Sequence, residues 1–203
     1  MNLLERIHDK RVHTRRVVVL AKAAAGMLPV DVNTLLDIGC GDGVLAAELA
    51  GRRPGLRVEG VEVGLRAHTA IPVRPFDGRT LPYADGSMDA TMLVDVLHHT
   101  TDPENLLREA TRVARRSVLI KDHYVDGLGA RATLSFMDDV SNRRHNVALP
   151  YHYLRRAQWE KLFRALDLEL VQHDSLRQLY PFPGNLVFGR GLHFLALLRP
   201  SAR

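Results

Sequence analysis

The sequence has a single cysteine, Cys40, which excludes a disulfide bond within the chain and fits a reducing compartment. It also lacks the run of about 18 uncharged apolar residues that a transmembrane helix requires. Residues 1–16 carry charges throughout and contain no uncharged apolar segment of the kind found in signal peptides. We therefore expect a cytoplasmic protein that is not inserted in a membrane.

Lysine is scarce, and the formal net charge of +5 comes almost wholly from arginine. A positive surplus suits an anionic partner such as RNA or an acidic metabolite. The arginines are scattered, however, and a GC-rich genome also produces heavy arginine and alanine usage. The 203 residues are 46% apolar and 25% charged, which is typical of one globular domain with room for a small cap. Nucleic acid is not an expected partner.

The stretch Leu35–Ala50 combines three elements that together form a ligand-binding corner. A short apolar strand leads into the turn Gly39-Cys40-Gly41-Asp42-Gly43, and a helix with Leu45 and Leu49 one turn apart follows. Glycine permits positive φ and close approach of a ligand to the backbone. The free N–H groups at the start of the helix attract an electron-rich group.

The spacing of these glycines decides between ligands. A dinucleotide fingerprint requires G-x-G-x-x-G, which would place its third glycine at position 44, where the chain has Val44. The observed spacing is G-x-G-x-G, with Asp37 just before it. This pattern resembles the first motif of class I S-adenosylmethionine-dependent methyltransferases.

The next predicted strand, Leu56–Val63, ends at an acid. Glu62 lies about 20 residues beyond the glycine turn, where a carboxylate can accept both hydroxyls of a ribose. Glu59 is a competitor, but strand alternation places it on the opposite face. We therefore assign Glu62 as the ribose ligand.

Further motifs extend the resemblance from Leu35 to Asp122. Ile71–Val73 is predicted as a third strand, followed by the turn Phe76-Asp77-Gly78, a leucine-proline-tyrosine turn and a fourth strand, Ala90–Val94. This order is similar to the type 11 group of class I methyltransferases. The resemblance implies S-adenosylmethionine as cofactor and S-adenosylhomocysteine as product. The cofactor-binding positions are then Asp37, Gly39, Cys40, Gly41, Glu62, Val63, Asp77, Gly78, Val94 and Asp95.

The implied fold is an α/β, Rossmann-like three-layer sandwich. It has a seven-stranded, mostly parallel sheet in the order 3-2-1-4-5-7-6, with the last strand antiparallel and helices on both faces. A helix should begin at Asp102-Pro103, because an acidic N-cap followed by proline is a favoured start. The chain is expected to be a single domain, 1–203, with residues 1–33 as an N-terminal helical cap and 126–153 as a cap segment inserted after the fifth strand, Ser117–Lys121. The last two strands are predicted at Leu168–His173 and Leu192–Leu198.

Candidate substrate and catalytic residues follow the fifth strand. Phe136, His145, Tyr151 and Tyr153 mix aromatic surface with hydrogen-bonding groups and suit a small or partly aromatic ligand. His123, and after it His99, could remove a proton from an acceptor, since histidine titrates near neutral pH. The pair His98-His99 has no second cluster at ligand spacing, so we expect no metal site.

The predicted activity is in-line transfer of a methyl group to a small-molecule acceptor. The chain lacks an asparagine- or aspartate-proline-proline-aromatic motif after the fourth strand, where Asp95-Val96-Leu97-His98 stands instead. This absence argues against methylation of a nucleic-acid base. Two alternatives stay open: an RNA or protein methyltransferase, and a non-catalytic partner protein that binds S-adenosylmethionine.

Overall fold

A seven-stranded sheet in the order β3-β2-β1-β4-β5-β7-β6 forms the centre of the protein, which confirms the predicted strand order. The computed structural model describes residues 3–142 and 150–201, with side chains described for 14–140 and 150–201. The strands are β1 Thr34–Ile38, β2 Arg57–Glu62, β3 Val73–Pro75, β4 Met88–Val94, β5 Ala114–His123, β6 Leu168–Asp174 and β7 His193–Pro200. The strand β7 is antiparallel to both of its neighbours, as predicted.

Helices cover both faces of the sheet, because its central strands are apolar on both sides. The helices are α1 Leu3–Met27, α2 Val44–Gly51, α3 Pro103–Val113, α4 Ala130–Asn142, α5 Arg156–Ala165 and α6 Gly184–Phe188, and Leu97–His99 forms a 3-10 turn. One core lies between the sheet and helices α3 and α5, and includes Leu107 and Trp159. The other core lies under α1 and α2, and includes Leu20 and Leu49. Among the helices of the described ranges, none has the length and apolar character needed to cross a membrane.

Strand register places the ligand corner at one edge of the sheet. Asp37 of β1 pairs with Gly60 of β2 on one side and with Met92 of β4 on the other. Since these strands are parallel, their carboxyl ends open on the same edge. The residues that follow β1, β2 and β4 therefore lie close together.

Helix α1 is fixed to the domain by Arg53. The guanidinium of Arg53 donates to the carbonyl oxygens of Ala25 (3.1 Å), Leu28 (2.6 Å) and Pro29 (2.7 Å). Ala25 lies in the last turn of α1, where carbonyls have no intrahelical partner, and Leu28 and Pro29 directly follow the helix. The helix that was predicted within residues 1–33 is α1, and it ends at Met27.

Several predicted boundaries are confirmed and others move. Helix α3 begins after Asp102, whose carboxylate accepts a hydrogen bond from the Asn105 N–H at 3.0 Å, as predicted for an acidic cap. The third strand, predicted at Ile71–Val73, lies at Val73–Pro75, because Ile71 is buried near Gly43 and pairing with β2 begins at Val73. The fifth strand extends beyond the predicted Ser117–Lys121 to Ala114–His123, since it pairs on both sides.

Candidate active site

The glycine turn between β1 and α2 is held against β2 by backbone hydrogen bonds. The N–H groups of Gly39 and Cys40 both donate to the carbonyl oxygen of Val61, at 2.8 and 3.2 Å. Gly39 has φ +70°, and a Cβ at this position would lie only 2.7 Å from Cγ2 of Val96. Glycine is therefore required here both for the backbone conformation and for the close packing.

Glu62 is connected to this turn through its carboxylate. One oxygen accepts the Gly41 N–H at 2.7 Å, and the other accepts the N–H groups of Val63 at 2.8 Å and Gly64 at 3.3 Å. A carboxylate has about four acceptor positions. The oxygen bound to Gly41 therefore retains capacity for a further donor, such as a ribose hydroxyl.

Asp37 is almost fully buried at the end of β1, beside the turn. Burial, and to a lesser extent the negative charge of Glu62, raise the pKa of Asp37 to about 8. Burial and the charge of Asp37 also raise the pKa of Cys40 to about 12, so its thiol is not a nucleophile at neutral pH. A cation bound between Asp37 and Glu62 would relieve their mutual repulsion.

A cavity of about 170 Å³ lies next to these groups. Helix α1 forms one of its walls and the glycine turn another. Its lining residues are Arg16, Val17, Leu20, Asp37, Gly39, Cys40, Asp42, Val44, Leu45, Val94 and Asp95. The cavity thus contains five of the predicted cofactor-binding residues, together with three residues of α1.

Asp95, immediately after β4, binds two cations. Its carboxylate accepts hydrogen bonds from Arg16 of α1 and from Lys121 of β5. Burial opposes ionisation of Asp95, but these two cations hold the pKa of its carboxyl well below the usual range. Sequence reasoning missed both partners. The sequence does contain a signal for Lys121, because a lysine ends the otherwise apolar predicted strand Ser117–Lys121. The Lys121 side chain is fully buried.

The turn Phe76-Asp77-Gly78, two residues of which were predicted to bind the cofactor, lies at the exposed surface after β3. The carboxylate of Asp77 accepts the N–H groups of Arg79 at 2.8 Å and Thr80 at 2.7 Å, which closes a local turn and lowers the pKa of Asp77. A Cβ at Gly78 would lie 3.3 Å from Cγ2 of Val63, so this turn packs against the segment that follows β2.

The histidines form a buried cluster with acids. His98 Nδ1 lies 2.7 Å from Oδ1 of Asp122, and His98 Nε2 lies 3.4 Å from Oδ2 of Asp138. Burial lowers the basicity of His98, but Asp122 outweighs this effect and raises its pKa to about 10. Burial and the Lys121 charge hold the pKa of His123 well below its usual value. Burial and the charge of His98 lower the pKa of the partly exposed His99.

The expectation of no metal site rested on spacing along the sequence. The fold brings Asp138 near both His98 and His99, and Asp95 and His123 near His98. These residues come from different elements, so their spacing along the sequence carried no sign of the cluster.

The candidate substrate residues lie on or next to helix α4. The Tyr153 hydroxyl donates to Asp138 and the Tyr151 hydroxyl donates to Asp139, so both tie the returning chain to the helix. Phe136 is 58% exposed, and its ring stacks on Phe188 at 6.5 Å. His145 lies outside the described residues.

Comparison with known proteins agrees with this geometry. Residues 36–120 match a family described as methyltransferase domain. An uncharacterized methyltransferase of Mycobacterium sp. (strain JLS) is 38% identical over 47% of this chain. The 27-O-demethylrifamycin SV methyltransferase of Amycolatopsis mediterranei (strain S699) is 34% identical, also over 47% of the chain. The matched region spans 40% of the length of each of these two relatives.

Among solved structures, a SAM-dependent methyltransferase from Thermotoga maritima superimposes with a TM-score of 0.69 at 20% identity, over 98% of this chain and 96% of the other. At that identity the likeness concerns the fold. The fold, the family match and the relatives together confirm the resemblance to class I S-adenosylmethionine-dependent methyltransferases. Residues 36–120 therefore resemble the methyltransferase domain of this class.

Proposed function

We propose that this protein binds S-adenosylmethionine in the cavity beside the glycine turn and transfers its methyl group to a small-molecule acceptor. The observation that carries the proposal is the position of Asp37, Glu62 and Asp95 at the ends of three neighbouring strands, around a turn held by Glu62 itself. Open α/β sheets bind their ligands at this edge.

The charges of the site suit this cofactor. When bound, S-adenosylmethionine supplies a positively charged sulfonium that carries an activated methyl group. Asp37 and Glu62 provide negative charge toward its cationic groups and its ribose. Arg16 lines the cavity, and its Nε has no hydrogen-bond partner among the described residues. We assign Arg16 to the carboxylate of the amino-acid portion.

The acceptor surface is apolar. The exposed ring of Phe136 on α4 stacks on Phe188 of α6, whose neighbours Leu186 and Val187 are also exposed. An acceptor with apolar or aromatic surface would bury these side chains. The relative named for 27-O-demethylrifamycin SV supports an organic small molecule rather than a polymer.

Methyl transfer of this type mainly requires positioning and exclusion of water. Where the acceptor must lose a proton, His99 is better placed than His123, since His99 is partly exposed and His123 is buried. The lowered pKa of His99 keeps its ring neutral and able to accept a proton at neutral pH.

The test is calorimetric titration with S-adenosylhomocysteine, with NAD as the negative comparison. We expect saturable binding that Glu62→Ala weakens by about tenfold or more, because a charged hydrogen bond is lost. Glu48→Ala, at an acid on α2, serves as the matched control and should bind S-adenosylhomocysteine normally.

Glu62 also supports the turn, so its role in the turn must be separated from a contact with the ribose. A 2′-deoxyribose analogue of S-adenosylhomocysteine makes this separation. Direct ribose contact predicts that the wild type discriminates against the analogue more than Glu62→Ala does. Absence of binding to well-folded wild-type protein would refute the proposal.

A further inference from the structure

We propose that His98, His99 and Asp138 form a binding site for one divalent transition-metal ion, with Zn²⁺ as the closest chemical match. One ligand atom from each of these residues lies within 4.8 Å of the other two. Two imidazole nitrogens and a carboxylate oxygen are a donor set that suits Zn²⁺. The site is separate from the cavity assigned to the cofactor, and its occupation does not depend on methyl transfer.

Nε2 of His98 and Nδ1 of His99 make no hydrogen bond of normal geometry among the described residues, and both atoms are shielded from solvent. Nε2 of His98 faces Oδ2 of Asp138 at 3.4 Å, the distance of an ion pair, whereas Nδ1 of His99 has no such partner in the described part of the chain. The His98 side chain is 1% exposed. Buried polar atoms of native proteins are nearly always satisfied, so the unpartnered nitrogen of His99 beside the long His98–Asp138 contact indicates room for an electron-pair acceptor that all three residues share.

Asp122 prepares His98 for this role. It binds His98 through Nδ1 at 2.7 Å, which leaves Nε2 as the atom directed toward Asp138. Histidines that bind metals commonly donate their other ring N–H to a carboxylate in this way, which fixes the tautomer and the orientation of the ring. The Tyr153 hydroxyl, bound to Asp138, orients the carboxylate ligand similarly.

The distances are compatible with a tetrahedral ion. Ligand atoms about 2.1 Å from such an ion stand about 3.4 Å apart. Nε2 of His98 and Oδ2 of Asp138 are 3.4 Å apart. His99 lies on the same 3-10 turn as His98, with ring centroids 4.0 Å apart, and one of its ring nitrogens lies within 4.8 Å of the other two ligand atoms.

A second grouping, Asp95, His98 and His123, is disfavoured by its charge. The ammonium of Lys121 binds Asp95 and lies 3.5 Å from Nε2 of His123. A divalent cation at that position would be repelled by this ammonium. His123 belongs only to this second grouping, so a His123 variant serves as an internal control in the experiment.

The ion would keep an open coordination position. His99 is the most exposed of the three ligands, and three protein ligands leave the fourth position of a tetrahedral ion for a water molecule. A His99 ring that binds the ion would no longer serve as a base. A metal-bound acceptor oxygen would instead lose its proton more readily.

The experiment uses the full chain after removal of metals with a chelator. Zn²⁺ is titrated by calorimetry, and Co²⁺ is added separately as a spectroscopic probe. We expect one Zn²⁺ per chain and a visible Co²⁺ absorption typical of low-symmetry, four-coordinate geometry. His99→Gln and Asp138→Asn should weaken Zn²⁺ binding by more than about a hundredfold, and Asp122→Asn by about 10–100-fold. His123→Gln, and His68→Gln at an exposed position, should bind as the wild type does.

Circular dichroism and a cooperative urea transition confirm that each variant is folded. The proposal is overturned if folded wild-type protein neither binds Zn²⁺ saturably nor gives a Co²⁺ spectrum. That outcome would mean that a proton between His98 and Asp138 holds the cluster together. Loss of binding in His123→Gln with retention in His99→Gln would overturn it too, in favour of the grouping around Asp95. None of these readouts involves S-adenosylhomocysteine, so failure of the proposed function would leave this result unaffected.

Discussion

The imidazole of His98 and the carboxylate of Asp122 lie 2.7 Å apart, and each side chain is only 1% exposed. The pair joins the 3-10 turn after β4 to the end of β5. Asp122 also accepts a hydrogen bond from the backbone N–H of His123 at 2.8 Å. A buried pair of this kind costs desolvation to form, but breaking it by removing one partner leaves the other charge uncompensated.

Replacement of Asp122 should therefore destabilise the protein strongly. Asp122→Ala is expected to lower the free energy of unfolding by about 3–5 kcal/mol at neutral pH, measured by urea denaturation. Asp174→Ala, at an exposed position at the end of β6, is the control and should change it by less than about 0.5 kcal/mol. Equal effects of the two variants would contradict a stabilising role for the pair.

Arg52 and Arg53 offer a matched pair on neighbouring positions. Arg53 donates to three carbonyls at and just after the end of α1. Arg52, by contrast, forms a surface ion pair with Glu48 of α2. We expect Arg53→Ala to cost about 1.5–3 kcal/mol and Arg52→Ala about 0.5 kcal/mol or less, by urea denaturation. Hydrogen exchange should locate the Arg53 effect in α1. A uniform effect over the whole domain would argue against a specific anchor.

The raised pKa of Asp37 predicts that the stability of the protein depends on pH. Its pKa is about 8 in the folded protein and about 3.9 in an unfolded chain, so the folded state binds an additional proton between these values. This contribution favours folding at low pH and is lost as the pH rises through that window. Asp37→Asn removes it, so stability should fall less between pH 5 and pH 9 in the variant than in the wild type. The difference is on the order of several kcal/mol.

The measurement is the free energy of unfolding at both pH values for both proteins. Parallel pH profiles would mean that the Asp37 carboxyl titrates at its ordinary pKa. The same experiment with S-adenosylhomocysteine present should show a smaller difference, if a cationic ligand group favours the ionised carboxylate.

Gly39 can be tested by a double-mutant cycle with Val96. Gly39→Ala is expected to cost about 1–3 kcal/mol, because it combines a positive φ with a Cβ 2.7 Å from the Val96 side chain. Val96→Ala removes the contact, so Gly39→Ala should cost less in that background. Gly41→Ala is the control, since its φ is +59° but no atom lies within 4 Å of the added Cβ. An unchanged cost in the Val96→Ala background would attribute the whole effect to the backbone.

The parts of the fold that the sequence predicted well are encoded locally. The strand, turn and helix of Leu35–Ala50 and the Asp102 cap of α3 depend on neighbouring residues, and both are confirmed. The sheet order came from the resemblance to a family. The third strand was misplaced because Ile71 is apolar for packing near Gly43 and not for pairing with β2.

Local sequence patterns could not predict the ion pairs of Asp95 and Asp122. Asp95 receives its partners from positions 79 and 26 residues away, and Asp122 binds a histidine 24 residues away. The Asp122 side chain binds His98 and also lies 3.4 Å from Nδ1 of its neighbour His123.

Helix α1 lies outside the segment that matches the family, although it lines the cavity. Arg16, Val17 and Leu20 form one wall of the cavity, yet they precede the family match at residues 36–120 by at least 16 positions. The matched segment therefore contains the turn and the acids but not the cavity wall that α1 supplies. A shortened version that begins at residue 36 would lose that wall, and with it part of the proposed cofactor site.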